Sequence, residues 1–290
     1  MLKISTEIHS IARHVGDHKA VEYVAKAGFD AWDLSMFGMV EPGPVPGQKR
    51  VSNHPLSGPT YLKYIRELKK IGLDNGIVCN QSHAPFPSVD PATHSMLKRA
   101  IECTAEAGGE ICIVHPGNKQ TAEQNAELYF ELLPFAKECG IKLAAENMFN
   151  REPETRRIIP AACSSPEDFL KHLELVNDPY LVACLDIGHA EIVGCETSAP
   201  EMICALGSHL QALHIHDNNR LDDCHQLPFT MEIDFEAAIR ALKQIGYRGY
   251  LTLEANSYLE KCTPATVFAG VKTMADTAKR LAEMHEMACQ

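Results

Sequence analysis

The sequence predicts a single (β/α)8 TIM barrel over residues 1–290. Three observations predict it. Eight apolar, strand-like runs recur along the chain. Amphipathic helical segments separate them. The first run is followed by EIHSIARHVGD, which lacks the G-x-G-x-x-G phosphate loop usual in a doubly wound open sheet. Alternating strands and helices call for a parallel sheet with right-handed crossovers, and a closed ring of eight such units typically takes about 250 residues.

The strand candidates, in order, are LKIST, FDAWDLS, GIVCNQS, EICIVHP, IKLAAEN, LVACLDIG, LQALHIHD and GYLTLEAN. The segment FGMVEPGPVPGQKRVSNHPLSGPT follows the second run, and its Pro and Gly content reads as a loop over the barrel mouth. In SSPEDFLKHLELV, Ser165 is the cap, Pro166 takes the first helical position and Asp168 stands three residues after the cap. SAPEMICAL repeats that spacing with Ser198 and Glu201. In FEAAIRALKQIG, Phe235, Ala238, Ile239 and Leu242 form one apolar stripe behind the cap Asp234. Thr263 and Pro264 are expected to open a long closing helix, and Gly28, Gly72, Gly108, Gly140 and Gly246 read as helix stops.

Composition narrows the function. A net charge of −11 disfavours a nucleic-acid partner, whose phosphates are gripped by Lys and Arg. No apolar run approaches the roughly 20 residues of a membrane span, and MLKISTEIHS lacks the basic start and apolar stretch of a secretory signal, so a cytoplasmic location is expected. The eleven cysteines are scattered without C-x-x-C spacing, and Cys79, Cys112 and Cys184 sit in apolar runs as buried thiols. His14, His94, His172, His209 and His285 fall in helical or connecting contexts and read as surface residues.

Barrel side chains alternate between the interior and the helix layer. If Leu143 and Ala145 face the helices, Glu146 faces inward. Val182, Cys184 and Asp186 share a face, as do His214 and His216, and Thr252 and Glu254. Four consecutive strands thus deliver Glu146, Asp186, His214 and Glu254 near their C-terminal ends. Any one alone would be an ordinary polar residue. Three carboxylates at one depth repel each other, and a divalent cation is the usual remedy. Mixed carboxylate and imidazole ligation suits Mn²⁺, Co²⁺, Fe²⁺ or Zn²⁺ better than Ca²⁺. His83 in SHAPFP, His115 in VHPG, His189 in LDIGHA, and Asp223 and His225 in DDCHQLP stand at the same end, as substrate contacts, supporting groups or further ligands.

At these residues the chain resembles the xylose-isomerase-like TIM barrels, which include sugar-phosphate isomerases and epimerases, ketose 3-epimerases, inosose dehydratases and endonuclease IV-type nucleases. The resemblance covers nearly the whole chain and is most specific in strands 5 to 8. It implies a metal-binding Glu146 with a substrate-contacting Glu152 six residues on, an Asp186 ligand with His189 three residues on, and a His214 ligand with Arg220 six residues on. The last spacing selects His214 over His216 as ligand and leaves His216 at the rim. Glu254 completes the set. IHDNN after His214 departs from the Gly-Glu pattern of the epimerases, while DDCHQLPFTMEIDF resembles a D-x-H…P…I-D-F stretch of the wider group.

The resemblance implies an isomerase or epimerase with one divalent cation, acting on a small carbohydrate through an enediolate. Glu146 and Glu254 would move the proton. His83, His115, His189, Arg220 and Glu152 would contact substrate, and Trp32, Phe37 or Phe86 would close the pocket. Asp223 and His225 are candidates for extra metal ligands. The runner-up is an endonuclease IV-type zinc phosphodiesterase with three zincs; dehydratase or lyase chemistry on a keto-sugar or inosose uses the same intermediate. No membrane or nucleic-acid partner is expected, and a homo-oligomer is left open. No phosphate loop is evident after strand 7 or 8, which favours an unphosphorylated substrate.

Overall fold

The computed structural model describes residues 1–288. Its eight parallel strands are β1 (Ile4–Thr6), β2 (Ala31–Ser35), β3 (Val78–His83), β4 (Ile111–Ile113), β5 (Lys142–Glu146), β6 (Leu181–Asp186), β7 (Leu210–His214) and β8 (Leu251–Leu253). Strands β2 to β7 hydrogen-bond in sequence order, and β1 pairs with β8. Single bridges, Glu7 to Asp33 and Ile215 to Leu253, join this pair to the other six and close the barrel. Each predicted strand is present, shortened to the residues that pair.

The alternation holds. Leu143, Ala145, Leu213, Leu251 and Leu253 join the large apolar layer between strands and helices. Ile111, Ile113, Ala144, Val182, Cys184 and Ala212 pack together inside the ring. Across from them the interior is polar: Ser5 donates to Asn80 at 2.6 Å, and Asn80 to Thr252 at 3.3 Å. Thus the barrel is filled below its mouth, and a ligand can be reached only at the C-terminal ends of the strands.

Helices α1 (Asp17–Ala27), α2 (Tyr61–Asp74), α3 (Pro91–Ala107), α4 (Ala122–Glu138), α5 (Pro166–Val176), α6 (Ala199–Leu206), α7 (Phe235–Gln244) and α8 (Val267–Met287) alternate with the strands. Ser165 caps α5, Ser198 caps α6 and Asp234 caps α7, each accepting a backbone N–H. Among the described residues no helix is long and apolar enough to cross a membrane. Cys79, Cys112 and Cys184 are buried free thiols.

Four expectations are corrected. Thr263 and Pro264 do not open α8, because Thr263 to Thr266 form a turn and the helix starts at Val267. Gly72 does not stop α2. It lies inside that helix, where a Cβ would stand 2.9 Å from Trp32 Nε1, so the close approach requires glycine. Trp32 consequently packs under α2 in the apolar layer and cannot wall a pocket. His172 and His285 are buried, and His172 bridges Asp168 O at 2.7 Å and Asn125 Nδ2 at 3.1 Å.

Two hairpins rise over the mouth. Val40–Pro42 pairs with Lys49–Val51 within the Pro/Gly-rich insertion, and Phe149–Arg151 pairs with Ile158–Pro160 after β5.

Candidate metal centre

The ends of β5 to β8 bring together the four side chains expected of them. One ligating atom from each of Glu146, Asp186, His214 and Glu254 lies within 4.8 Å of the others. All four residues are buried. Glu146 is shared: Oε1 lies 3.1 Å from His214 Nδ1, and Oε2 lies 3.0 Å from His115 Nε2 and 3.6 Å from His83 Nε2. His83, His115 and Glu146 therefore form a second group with ligand spacing.

A third group joins His189, Asp223 and His225 to His216. His216 is completely buried, not at the rim; its Nε2 lies 3.1 Å from Asp186 Oδ1 and 3.4 Å from Asp223 Oδ1. Period-2 alternation puts it on the face of His214, as expected, and the rim position implied by the Arg220 spacing is corrected.

Several buried atoms here have no hydrogen-bond partner: Asp186 Oδ2, His216 Nε2, Asp223 Oδ1, His214 Nε2 and Asp33 Oδ1. Unpaired buried carboxylate oxygens are costly, and Asp186 and Asp223 each belong to a group of mixed O/N donors of a kind that fits a divalent cation. Electrostatics keeps the Glu146 and Asp186 carboxylates ionised. Burial would raise the Glu146 carboxyl, but the imidazoles of His214 and His115 outweigh it and hold the group well below the usual carboxylate range. Burial also opposes ionisation of Asp186, which His189 and His216 nevertheless pull down to about 2. Burial would lower His225, but Asp223, accepting from its Nε2 at 3.1 Å, carries it to about 10, so a cation would bind this ring only in exchange for its proton.

Three further acids sit behind the donors. Asp33, from β2, accepts from Gln81 Nε2 at 2.9 Å and stands 3.5 Å from His214 Nε2, on the ring edge away from Glu146. Trp32 and Leu34 face the helix layer, so the same alternation places Asp33 inward. Asp217, adjacent to His216, is completely buried and accepts four backbone N–H groups: Asn218 at 2.9 Å, Thr230 at 3.0 Å, Met231 at 2.8 Å and Ile233 at 3.1 Å. It folds back the loop that carries Asp223 and His225. Asp217→Ala is expected to destabilise the protein by about 3–5 kcal/mol, because charge-assisted bonds are lost and buried donors are left unmade; urea unfolding measures this.

Glu7, at the end of β1, accepts from the backbone N–H of Ser10 at 3.0 Å and from its hydroxyl. Burial pushes its carboxyl up to about 7, against the Ser10 bonds and with repulsion from Glu254 and Asp33. Folded Glu7 keeps a proton that the unfolded chain releases from about pH 4.5, so wild-type stability falls as pH rises towards 7. Glu7→Gln does not titrate. Its stability relative to wild type is expected to gain about 3 kcal/mol between pH 4.5 and 8, read from urea unfolding with a chelator present. A flat difference across that range would show that Glu7 ionises normally.

The groups open into a cavity of about 660 Å³ lined by Phe37, Phe86, Met148 and Phe149 and by His83, His115, Glu146, His189, Asp223, His225 and Glu254. Phe37 packs edge-on to His83 at 4.5 Å and to Phe86 at 5.3 Å. Two expected contacts lie elsewhere. Glu152 is exposed on the Phe149–Pro160 hairpin, where it accepts from the Thr155 hydroxyl. Arg220 has turned away from this cavity onto Glu191, its Nε donating to the Glu191 carbonyl at 3.4 Å. Its backbone is left-handed at φ 60°.

The family model for xylose isomerase-like TIM barrels matches residues 21–283. An uncharacterised protein of Methanocaldococcus jannaschii is 29% identical over 253 residues, 81% of this chain and 78% of that one. Among solved structures, a D-tagatose 3-epimerase-like protein superposes with a TM-score of 0.73 at 24% identity, covering 98% of each chain. L-ribulose 3-epimerase gives 0.70 at 18% identity, covering 99% of this chain and 96% of that one.

Proposed function

Because the chain belongs to the xylose isomerase-like TIM barrel family, and because four acidic and imidazole side chains meet at the C-terminal ends of its barrel strands, we propose that it is a divalent-metal-dependent isomerase or epimerase of a ketose or related keto-sugar. The observation that carries this reading is the convergence of Glu146, Asp186, His214 and Glu254 from consecutive strands. They would hold Mn²⁺, Co²⁺, Fe²⁺ or Zn²⁺. A cation there supplies Lewis-acid polarisation of a substrate carbonyl, which acidifies the neighbouring C–H.

The chain's own groups do the rest. Glu146 and Glu254 both face the cavity, so one takes the proton from carbon and the other returns it. Delivery from opposite faces gives epimerisation, and return on one face gives aldose–ketose isomerisation. His83, His115 and His189 line the cavity as hydrogen-bonding partners for substrate oxygens, and Phe37 and Phe86 exclude water. Asp33 keeps the His214 ring turned so that Nδ1 faces Glu146.

Incubation with a panel of ketoses in D₂O tests the reading: deuterium should enter at a carbon next to the carbonyl. No incorporation with any ketose, by protein of full metal content, would end it. A second reading is favoured by the other two ligand groups, which would suit the three-zinc endonuclease IV type. Metal analysis separates them, at about one ion for the sugar enzyme and up to three zincs for the nuclease. The net charge of −11 weighs against DNA.

A further inference from the structure

A second cleft, of about 770 Å³, opens beside the cavity, and its charge is the reverse of the chain's. Arg151, Arg156 and Arg157 from the Phe149–Pro160 hairpin and Arg220 from the loop after β7 line it. Arg220 is far in sequence from the other three, so no local motif announces the whole set. Phe149 stands between the two openings. Its ring meets His189 edge-on at 5.0 Å on one side and lies 5.7 Å from the Arg151 guanidinium on the other.

The walls are fixed. Arg151 donates to Asp222 at 2.9 Å, tying hairpin to loop. The Val193 N–H donates to the Arg220 carbonyl at 2.9 Å. At Gly194 a Cβ would stand 2.0 Å from the Ile158 carbonyl oxygen, so the two backbones lie in direct contact at the cleft floor. Arg156 and Arg220 both hold left-handed backbone conformations, which are unusual for residues with a side chain.

Charge then selects the ligand. Arg151 is neutralised by Asp222, and Arg220 lies 3.6 Å from Glu191. Arg156 and Arg157 make no ion pair among the described residues, which leaves two uncompensated guanidiniums. Two free positive charges match a phosphate dianion better than a carboxylate, and guanidinium forks suit its oxygens.

We propose that this cleft binds a phosphate group, and that the group is the phosphate ester of the sugar whose carbonyl end enters the cavity. The second clause rests on the function proposed above. The first does not. It also reverses the expectation of an unphosphorylated substrate, which rested on the absence of a local phosphate loop.

The test compares wild type with Arg156→Ser/Arg157→Ser, two exposed positions whose replacement leaves the folded core untouched. Calorimetric titration with inorganic phosphate is expected to show saturable binding that weakens at least 10-fold in the double variant. With a ketose phosphate, KM is expected to rise at least 10-fold in the variant while kcat is kept, and an unphosphorylated ketose should be indifferent to the change. Equal phosphate binding in the two proteins overturns the cleft assignment. Arginine-dependent phosphate binding without arginine dependence of ketose phosphate KM overturns the ester and leaves free phosphate as the ligand. Arginine-dependent phosphate binding with no deuterium exchange on any ketose upholds the cleft and removes the sugar chemistry instead.

Discussion

Glu146→Gln is expected to slow deuterium exchange into a responsive ketose by about 10²–10⁴-fold, the range expected for loss of a positioned general base. Glu146 carries more than that single role. Its two oxygens face different partners, His214 on one side and His115 and His83 on the other, so three ligand groups lose a member together. Metal content should therefore fall along with the rate. Glu254→Gln touches two of the three His214-containing groups and leaves the His83–His115–Glu146 group intact. Its metal loss should be smaller, while its exchange rate should drop comparably if each carboxylate handles one transfer. Circular dichroism confirms that either variant is folded before kinetics are compared. Full exchange in both variants would remove the two carboxylates from the chemistry.

Stripping the proposed cation with a chelator is expected to lower the melting temperature by about 10 °C, on the order of 4 kcal/mol for a ligand present at a thousand times its dissociation constant. The physical cause is the crowd of acids at the barrel mouth. Glu146, Asp186 and Glu254 converge, Asp33 stands behind His214, and Glu7 repels both Asp33 and Glu254. Removing positive charge leaves that repulsion to the imidazoles alone. Mn²⁺ or Co²⁺ added back should restore the lost stability. An unchanged melt, with no stoichiometric metal in the purified protein, would show that these groups are balanced by their histidines and hold no ion.

Much of this was legible before any coordinate. The strands could be read because each is an apolar run between clear punctuation, and the site because barrel alternation sends every second residue inward. That rule placed Glu146, Asp186, His214 and Glu254 together and His216 on the His214 face; applied to strand 2 it would also have found Asp33, and only the Arg220 spacing moved His216 to the rim. Trp32 was misplaced for the same reason: it precedes Asp33 by one residue and must face the other way. Gly72 misled because a glycine inside a helix resembles a glycine after one until its neighbour, Trp32, is known. Arg220 and Glu152 were assigned by spacing, and spacing cannot say where a loop turns. Their neighbourhood is decided by contacts between the Phe149–Pro160 hairpin and the loop after β7, which are distant in sequence. The arginine cleft was illegible for that reason too.

The pairing of β1 with β8 also governs how the protein is made. Ile4 waits for Leu251, and Thr6 for Leu253. During synthesis the opening strand has only its single bridge to β2, and no ladder partner, until Leu251–Leu253 has been made, and such long-range pairing folds slowly. Until then the partly built sheet offers bare strand edges to other molecules, a hazard that chaperones answer. Glu254 emerges with the strand that seals the ring, so a prematurely terminated polypeptide has neither a closed wall nor a complete set of ligands.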